Sequence, residues 1–223
     1  MRFSPEDHKR VTDAVAAAEA LSDGEIVTVV AERSDAYHDV ALHWAVLAML
    51  LVPAVLAALP EGWFDWLEAL ILGWNGDMTR PLLMLLLTVT LAFVFLIVRF
   101  ALAWTPLRMA LTPGATKSRR VARRALALFR VAAEKKTHGR TGVLIYLSLQ
   151  ERRAEIVADE AIHSKVEPDV WGEAMTMLVE HVRDGKPGEG MALAVEKIGA
   201  VLAACLPKTL GDPNQISDRL LEI

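Results

Sequence analysis

Residues 139–159 read GRTGVLIYLSLQERRAEIVAD, and this stretch decides the fold of the soluble part of the chain. The run GVLIYLSL (142–149) is typical of a buried strand, and AEIVAD (154–159) is typical of a second one. The segment QERR between them is a turn, so the two strands are expected to pair antiparallel. The stretch therefore predicts a β-hairpin of a water-soluble α/β domain.

The rest of that domain is predicted from both ends of the chain. Ser4-Pro5-Glu6-Asp7 is typical of a helix start, and EIVTVVAE (25–32) is a strand rich in β-branched residues. Three further helices are predicted over residues 117–136, 169–184 and 188–205. The strand at 25–32, the helix at 117–136 and the strand at 142–149 would form a parallel, right-handed crossover.

Two long apolar runs interrupt this soluble pattern. Residues 40–59 carry no formal charge, and residues 82–104 carry one, on Arg99. At 1.5 Å per residue each run is long enough to cross a hydrocarbon core of about 30 Å. We therefore expect a transmembrane hairpin, with Arg99 reaching the interface from the end of the second span.

The loop between the spans has the pattern of a helix that lies in the membrane interface. Over residues 63–74 its apolar side chains recur at helical spacing, opposite Asp65 and Glu68. Tryptophan prefers the headgroup level of a bilayer. We therefore assign membrane anchoring to Trp44, Trp63, Trp66, Trp74, Arg99 and Trp104.

A basic block predicts the orientation of the hairpin. Residues 106–137 contain nine basic side chains and one acidic one, although the whole chain has a net charge of −4. The positive-inside rule places this block in the cytoplasm, and two spans return the chain to its starting side. Both termini are then cytoplasmic, and anionic headgroups explain the block better than a nucleic acid does.

These observations divide the chain into three segments. Residues 1–39 form the first part of the soluble domain, 40–105 form the hairpin, and 106–223 form the remainder. One helix and one strand cannot build a core alone, so the two soluble segments are expected to fold together.

Candidate chemical groups are few. The six histidines form no HxH or HExxH motif, and the one cysteine, Cys205, lies in an apolar helical context. The best cluster is Asp159 and Glu160 at a strand end, with Arg153 and His163 nearby in sequence. Such carboxylates can bind a hard cation such as Ca²⁺ or assist hydrolysis, and the alternative is a solvated loop. No other metal and no cofactor is expected.

A second candidate surface follows from topology. Ligands of parallel sheets bind beyond the carboxyl ends of the strands. The chain enters the first apolar run only a few residues after the strand at 25–32. That end of the sheet is therefore expected to meet a membrane protein or lipid headgroups, with Asp35, His38 and Asp39 on its rim.

Several segments match the pattern of a known family, and they are GEIVTVV (24–30), ALALF (125–129), TGVLI (141–145), ERRAEI (151–156), the glycine-containing helix after Pro187 and NQISDRLLEI (214–223). These segments resemble the TPM domain family, named partly for thylakoid-lumen and photosystem II repair proteins, in a bacterial membrane-anchored subgroup. The resemblance implies a compact α/β/α sandwich around a small mixed sheet. It also implies roles in the assembly or repair of membrane complexes, with an acid phosphatase activity in a plant member. The chain differs from the family pattern at Arg140-Thr141 and at Asp159-Glu160, so no site is carried over.

The sequence thus predicts a mixed α/β protein interrupted by a transmembrane hairpin in the bacterial inner membrane. The favoured function is that of an accessory protein whose cytoplasmic TPM-like domain binds or stabilises membrane protein partners. The alternative is a membrane-tethered phosphatase or divalent-metal-dependent hydrolase. A small transporter is disfavoured because two spans carry too few polar groups.

Overall fold

A computed structural model describes residues 3–72, 79–132, 141–166, 168–209 and 218–223. The chain forms two compact units. One unit combines Met1–Ala36 with Pro113–Ile223, and the other is Tyr37–Thr112. The first unit contains the sheet, and the second contains the two longest apolar helices.

The elements in chain order are α1 (Pro5–Glu19), β1 (Glu25–Ala31), α2 (His38–Ala58), α3 (Glu61–Leu72), α4 (Arg80–Ala101), α5 (Thr105–Leu111), α6 (Gly114–Ala132), β2 (Gly142–Ser148), β3 (Arg153–Ala158), α7 (Glu160–His163), α8 (Pro168–Arg183), α9 (Pro187–Cys205) and β4 (Leu221–Glu222).

The first helix begins where the sequence predicts. Ser4 Oγ accepts the Asp7 N–H at 3.1 Å, and Asp7 Oδ2 accepts the Ser4 N–H at 2.9 Å. Pro5 occupies the first turn, where a missing N–H costs nothing. This reciprocal capping box satisfies two of the backbone donors that a helix start leaves unpaired.

The described strands form one sheet in the order β3-β2-β1-β4. β1 and β2 are parallel, with Glu25 opposite Gly142, and β2 and β3 are antiparallel, with Ser148 opposite Arg153. These pairings confirm the predicted parallel crossover and the predicted hairpin. The short strand β4, parallel to β1, is not predicted from the sequence because two residues carry too little pattern.

The sheet is covered on both faces, as the predicted sandwich requires. Alternate strand residues such as Ile26 and Ile145 pack in a large core with α1, α8 and α9. The residues between them, such as Val27 and Leu144, pack in a smaller core against α6. Each strand thus sends one set of side chains to each layer, because successive side chains point to opposite faces. The fold is therefore the predicted mixed α/β arrangement.

Helices α1 and α9 approach each other closely. A Cβ built on Gly199 would lie 2.5 Å from the Cβ of Ala18, which is closer than two carbon atoms can pack. Glycine at this position is therefore required by the distance between the two helices.

The second unit contains two helices that are long and apolar enough to cross a membrane. They are His38–Ala58, with a mean hydropathy of 2.3, and Arg80–Ala101, with a mean hydropathy of 2.8. In the most apolar window of α2 only 17% of the residues are buried, and in that of α4 none are. Their apolar side chains are therefore not the interior of a water-soluble core.

Several element boundaries differ by a few residues from the sequence predictions. The second apolar helix ends at Ala101, short of the predicted residue 104, and a new helix with Pro106 in its first turn starts at Thr105. The loop helix starts at Glu61, directly after Pro60 and two residues before the predicted start at 63, and residues 73–74 of the prediction lie outside the described residues. The basic helix is described from Gly114 to Ala132, so residues 133–136 of the prediction lie outside the described residues.

Candidate functional site

Polar side chains meet at the carboxyl ends of β1 and β2. Glu151 is buried in the turn after β2, and its Oε1 accepts the N–H of Ser34 at 2.8 Å. Its Oε2 accepts the hydroxyl of Ser148, at the end of β2. This carboxylate therefore joins the segment after β1 to the β2–β3 turn, and it fixes one edge of the sheet.

Tyr146 belongs to the same network. Its hydroxyl lies 3.0 Å from the Ser34 hydroxyl, and the side chain is buried on the α6 side of the sheet. Burial raises the pKa of Tyr146 above its usual range. The phenol therefore stays protonated at neutral pH, as a hydrogen-bonding group.

A cleft of about 410 Å³ opens beside this network, at the start of β3. Its wall combines the β2–β3 turn with α6 on one side and α8 on the other. The lining residues are Ser118, Val121, Glu151, Arg152, Arg153, Ala154, Glu155, Val179 and Arg183.

Three arginines give the cleft its chemistry. Among the residues that the structure describes, no side-chain hydrogen bond or salt bridge joins Arg152, Arg153 or Arg183 to another group. The Nε of Arg153 is also buried without a partner in that part of the chain. A buried unpaired N–H is costly, so this atom favours an acceptor supplied from outside.

The cleft is lined by three arginines and two acidic residues, so basic groups are in excess. The carboxyl group of Glu151 accepts hydrogen bonds from Ser34 and Ser148. Burial raises the pKa of Glu155 above its usual value. The cleft is therefore a positively charged site with donors in excess.

The backbone of the turn presents one of these arginines at the cleft. Arg152 has a φ of 49°, which a residue with a Cβ adopts only at some cost. Its side chain is exposed, and its backbone N–H donates to the Leu149 carbonyl at 3.3 Å.

The four predicted catalytic candidates are not gathered in one place. Arg153 begins β3, whereas Asp159 follows its end, about 20 Å away at the rise of an extended strand. Glu160 and His163 are exposed residues of the single turn α7. They share an end of the sheet with Asp159 and not with Arg153.

Asp159 has a structural partner. The side chain is buried, and its Oδ2 accepts the N–H of Gly142 at 2.9 Å. Its own N–H donates to the Gly142 carbonyl at 3.0 Å. This pair of bonds holds the end of β3 against the start of β2.

The three predicted rim residues fall into both units. Asp35 lies in the first unit, where its Oδ2 accepts from Arg120 Nη1 at 3.0 Å. His38 and Asp39 begin α2 in the second unit, where His38 Nδ1 lies 3.5 Å from Nη1 of Arg108. The predicted role of this rim in partner binding stays a prediction.

The predicted anchoring residues are placed on the helices of the second unit, except for Trp74, which lies outside the described residues. The rings of Trp63 and Trp66 meet edge to face at 5.5 Å on α3, and both are exposed. Trp44 Nε1 donates to the Leu111 carbonyl at 3.2 Å. Arg99 lies in the last turn of α4, and the exposed Trp104 immediately precedes α5.

The possible metal ligands of the described residues are not grouped together. Over the described ranges, no three His, Cys, Asp or Glu side chains come together in a way that could hold a metal ion. Ca²⁺ binding at Asp159 and Glu160 stays an untested prediction.

Sequence reasoning did not find the arginine cleft as a site. Arg152 and Arg153 are adjacent in the predicted turn, but Arg183 is 30 residues away at the end of α8. No local spacing relates it to them. Only the packing of α8 against the sheet brings these arginines together.

Comparison with known proteins shows what part of the chain is similar to. Residues 107–201 match the family model described as the TPM domain. No curated protein matches the chain. An NMR structure of the BA42 protein from the psychrophilic bacterium Bizionia argentinensis matches with a TM-score of 0.56. The match covers 100% of this chain and 97% of that one at 15% identity, so it shows a shared fold.

The membrane-anchored subgroup within the family stays a prediction. The match of residues 107–201 to the TPM domain family model agrees with the resemblance found in the sequence.

Proposed function

We propose that this protein is a membrane-anchored accessory protein of the bacterial inner membrane. Two spanning helices would hold a cytoplasmic TPM-like unit that binds or stabilises membrane protein partners. The observation that carries the proposal is the exposure of α4, which has a mean hydropathy of 2.8 over a window with no buried residue. Such a surface is stable in hydrocarbon and costly in water, at about 25 cal/mol per Å² of apolar area.

The helix α3 supports the same arrangement. It exposes Trp63, Trp66 and Leu70 between the two long helices. An amphipathic helix with paired tryptophans suits the headgroup region of a bilayer. Together with the basic residues of α6, it favours an orientation with α3 outside and α6 in the cytoplasm.

Cysteine labelling tests the topology. The chain has one cysteine, so Cys205→Ser gives a background without thiols. In that background Asp65→Cys, on α3, is expected to react with a membrane-impermeant maleimide on intact spheroplasts. Arg123→Cys, an exposed position of α6, is expected to react only after lysis. Equal labelling of both positions in intact spheroplasts would contradict the proposed orientation.

Photo-crosslinking tests the binding role. A crosslinker at each position of residues 34–39 in native membranes is expected to capture a membrane protein or a lipid. A matched probe at Lys9, an exposed position of α1 that does not line the cleft, serves as the control and is expected to capture neither. Products with neither a membrane protein nor a lipid at 34–39 would contradict the proposal.

The hydrolase alternative is less well supported. It needs Asp159 as a reactive carboxylate, but this side chain is buried and already accepts the Gly142 N–H. A phosphatase assay, described in the Discussion, tests it directly.

A further inference from the structure

β3 is an edge strand whose outer side is open to pairing. In the described part of the chain, no strand follows β3 in the order β3-β2-β1-β4. All six residues of β3 are partly exposed. An edge of this kind presents unpaired backbone groups, which another extended chain can use.

The register shows which backbone groups point outward. The N–H of Asp159 donates to the carbonyl of Gly142, its direct partner in the antiparallel register. Hydrogen-bonded and non-bonded pairs alternate along an antiparallel ladder. The N–H and C=O groups of Ala154, Ile156 and Ala158 therefore face away from β2.

The arginines of the cleft lie on both sides of this edge. The Arg153 side chain shares a face with Val157, which packs in the core on the α6 side. Arg183 belongs to α8, which packs in the core of the opposite face. Arg152 is exposed at the turn between the strands. A chain paired with β3 would therefore meet a guanidinium on each face.

We infer that the outer edge of β3, together with Arg152, Arg153 and Arg183, binds an extended acidic segment of a protein partner. The inference rests on the proposed binding function and names the chemistry of the partner. Neighbouring side chains of an extended segment point to opposite faces, so two consecutive carboxylates reach Arg153 and Arg183. Charge-assisted hydrogen bonds from guanidinium to carboxylate are among the strongest that proteins form.

Two features favour a peptide over a small oxyanion. The outward groups of β3 alternate between donors and acceptors, and a peptide backbone satisfies both kinds. A small oxyanion can accept hydrogen bonds from the outward N–H groups of β3, but it leaves the outward C=O groups without a donor. The buried Nε of Arg153 also gains an acceptor from a carboxylate beside it.

Fluorescence anisotropy with a defined probe tests the inference. The full chain is placed in nanodiscs of phosphatidylcholine, and the probe is a fluorescein-labelled peptide, acetyl-Val-Thr-Glu-Glu-Val-Thr-amide. The control peptide has Gln-Gln in place of Glu-Glu. The acidic probe is expected to bind at least about tenfold more tightly, and salt is expected to weaken it.

Matched double variants distinguish binding at the cleft from a general effect of the protein's positive charge. The double variant Arg153→Gln with Arg183→Gln is expected to weaken the acidic probe about tenfold or more. Arg123→Gln with Arg130→Gln removes the same charge from exposed positions of α6 that do not line the cleft, and it is expected to change affinity less than about twofold. Equal loss in both double variants would overturn the inference.

Pairing of the probe with β3 as an added strand is measured separately, by amide exchange. Binding of the acidic probe is expected to slow amide exchange at Ala154 and Ile156. A probe with N-methyl groups on alternate residues keeps its charges but cannot pair as a strand, and it is expected to bind at least about tenfold more weakly. Unchanged exchange at both amides would overturn the inference, and so would equal affinity of the N-methylated probe.

A competition experiment distinguishes a peptide ligand from a small oxyanion. Comparison with the crosslinking result distinguishes failure of this inference from failure of the proposed function. Inorganic phosphate is added at the concentration at which the unlabelled acidic peptide displaces the probe. If phosphate displaces the probe equally well, the cleft binds a small anion and the inference is overturned. If the probes fail while crosslinking at 34–39 captures a membrane protein, the proposed function stands and only this site for the partner is wrong.

Discussion

The N–H of Gly142 donates to Oδ2 of the buried Asp159 at 2.9 Å, next to the Val143–Ala158 pair of the β2–β3 hairpin. The carboxylate suggested as a catalytic candidate by its place at a strand end is thus part of the hairpin's own hydrogen bonding. Its loss would leave a buried donor without a partner.

Asp159→Ala is therefore expected to destabilise the first unit by about 1–3 kcal/mol, because the Gly142 N–H loses its acceptor. Amide exchange of β2 in the full chain measures this loss without unfolding the apolar helices. Asp159→Asn keeps a side-chain oxygen in place and is expected to cost less than about 1 kcal/mol. Equal losses in the two variants would show that the hydrogen bond is not the cause.

The purified full chain is expected to show no turnover of p-nitrophenyl phosphate above the buffer rate, with or without Ca²⁺, Mg²⁺ or Mn²⁺. The reason is that Asp159 is engaged by Gly142 and Arg153 lies at the other end of β3. Glu160→Gln and His163→Ala change exposed residues of the same end and serve as variants that leave the hairpin intact. Cation-dependent turnover that these changes or Asp159→Ala abolish would make the hydrolase the better function.

Glu19 is expected to make stability depend on pH. It is a buried carboxyl whose Oε1 accepts the Ile26 N–H at 2.8 Å, and burial raises its pKa to about 8. The folded state therefore binds more protons than the unfolded state above the ordinary value of 4.5. The contribution of this group to stability is complete below pH 4.5 and is lost as the pH rises through 8.

Glu19→Gln removes this titration and keeps an oxygen for the Ile26 N–H. The variant is expected to be more stable than the parent by about 1–3 kcal/mol at pH 9 and equally stable at pH 4. Amide exchange of β1, corrected for the intrinsic rate at each pH, gives the comparison. A difference that does not depend on pH would contradict the titration of this residue.

Gly199→Ala is expected to destabilise the first unit by about 1–3 kcal/mol, because the added methyl group overlaps Ala18 and forces α1 and α9 apart. Gly172→Ala provides the matched control. A Cβ at Gly172 would have no atom within 4 Å, so this change in α8 is expected to add up to about 1 kcal/mol of stability. Thermal unfolding of both variants, followed by near-ultraviolet circular dichroism, should show opposite signs.

Much of the fold could be predicted because its signals are local. The capping residues Ser4 and Asp7 mark the start of α1, and the apolar run at 142–149, the turn QERR and the run at 154–159 predict both strands of the hairpin. The two apolar helices follow from length and hydropathy alone. The ends of elements were harder to predict, because prolines such as Pro60 and Pro106 act through backbone sterics that a hydropathy pattern does not contain.

The candidate site was predicted less well, and the reason is physical. Sequence proximity grouped Arg153 with Asp159, but an extended strand carries them to opposite ends of the sheet. The burial of Asp159 and the bond to Gly142 depend on register, which is a property of two strands together.

The sequence by itself determined the class of the fold, the parallel crossover, the hairpin and the presence of two apolar helices, because periodicity and composition are properties of single segments. The tertiary structure alone decided that Arg152, Arg153 and Arg183 share a cleft, and that Glu151 joins Ser34 to Ser148. Arg183 and Ser34 are far in the chain from the β2–β3 turn that they meet. Only the packing of α6, α8 and the sheet sets the distances between them.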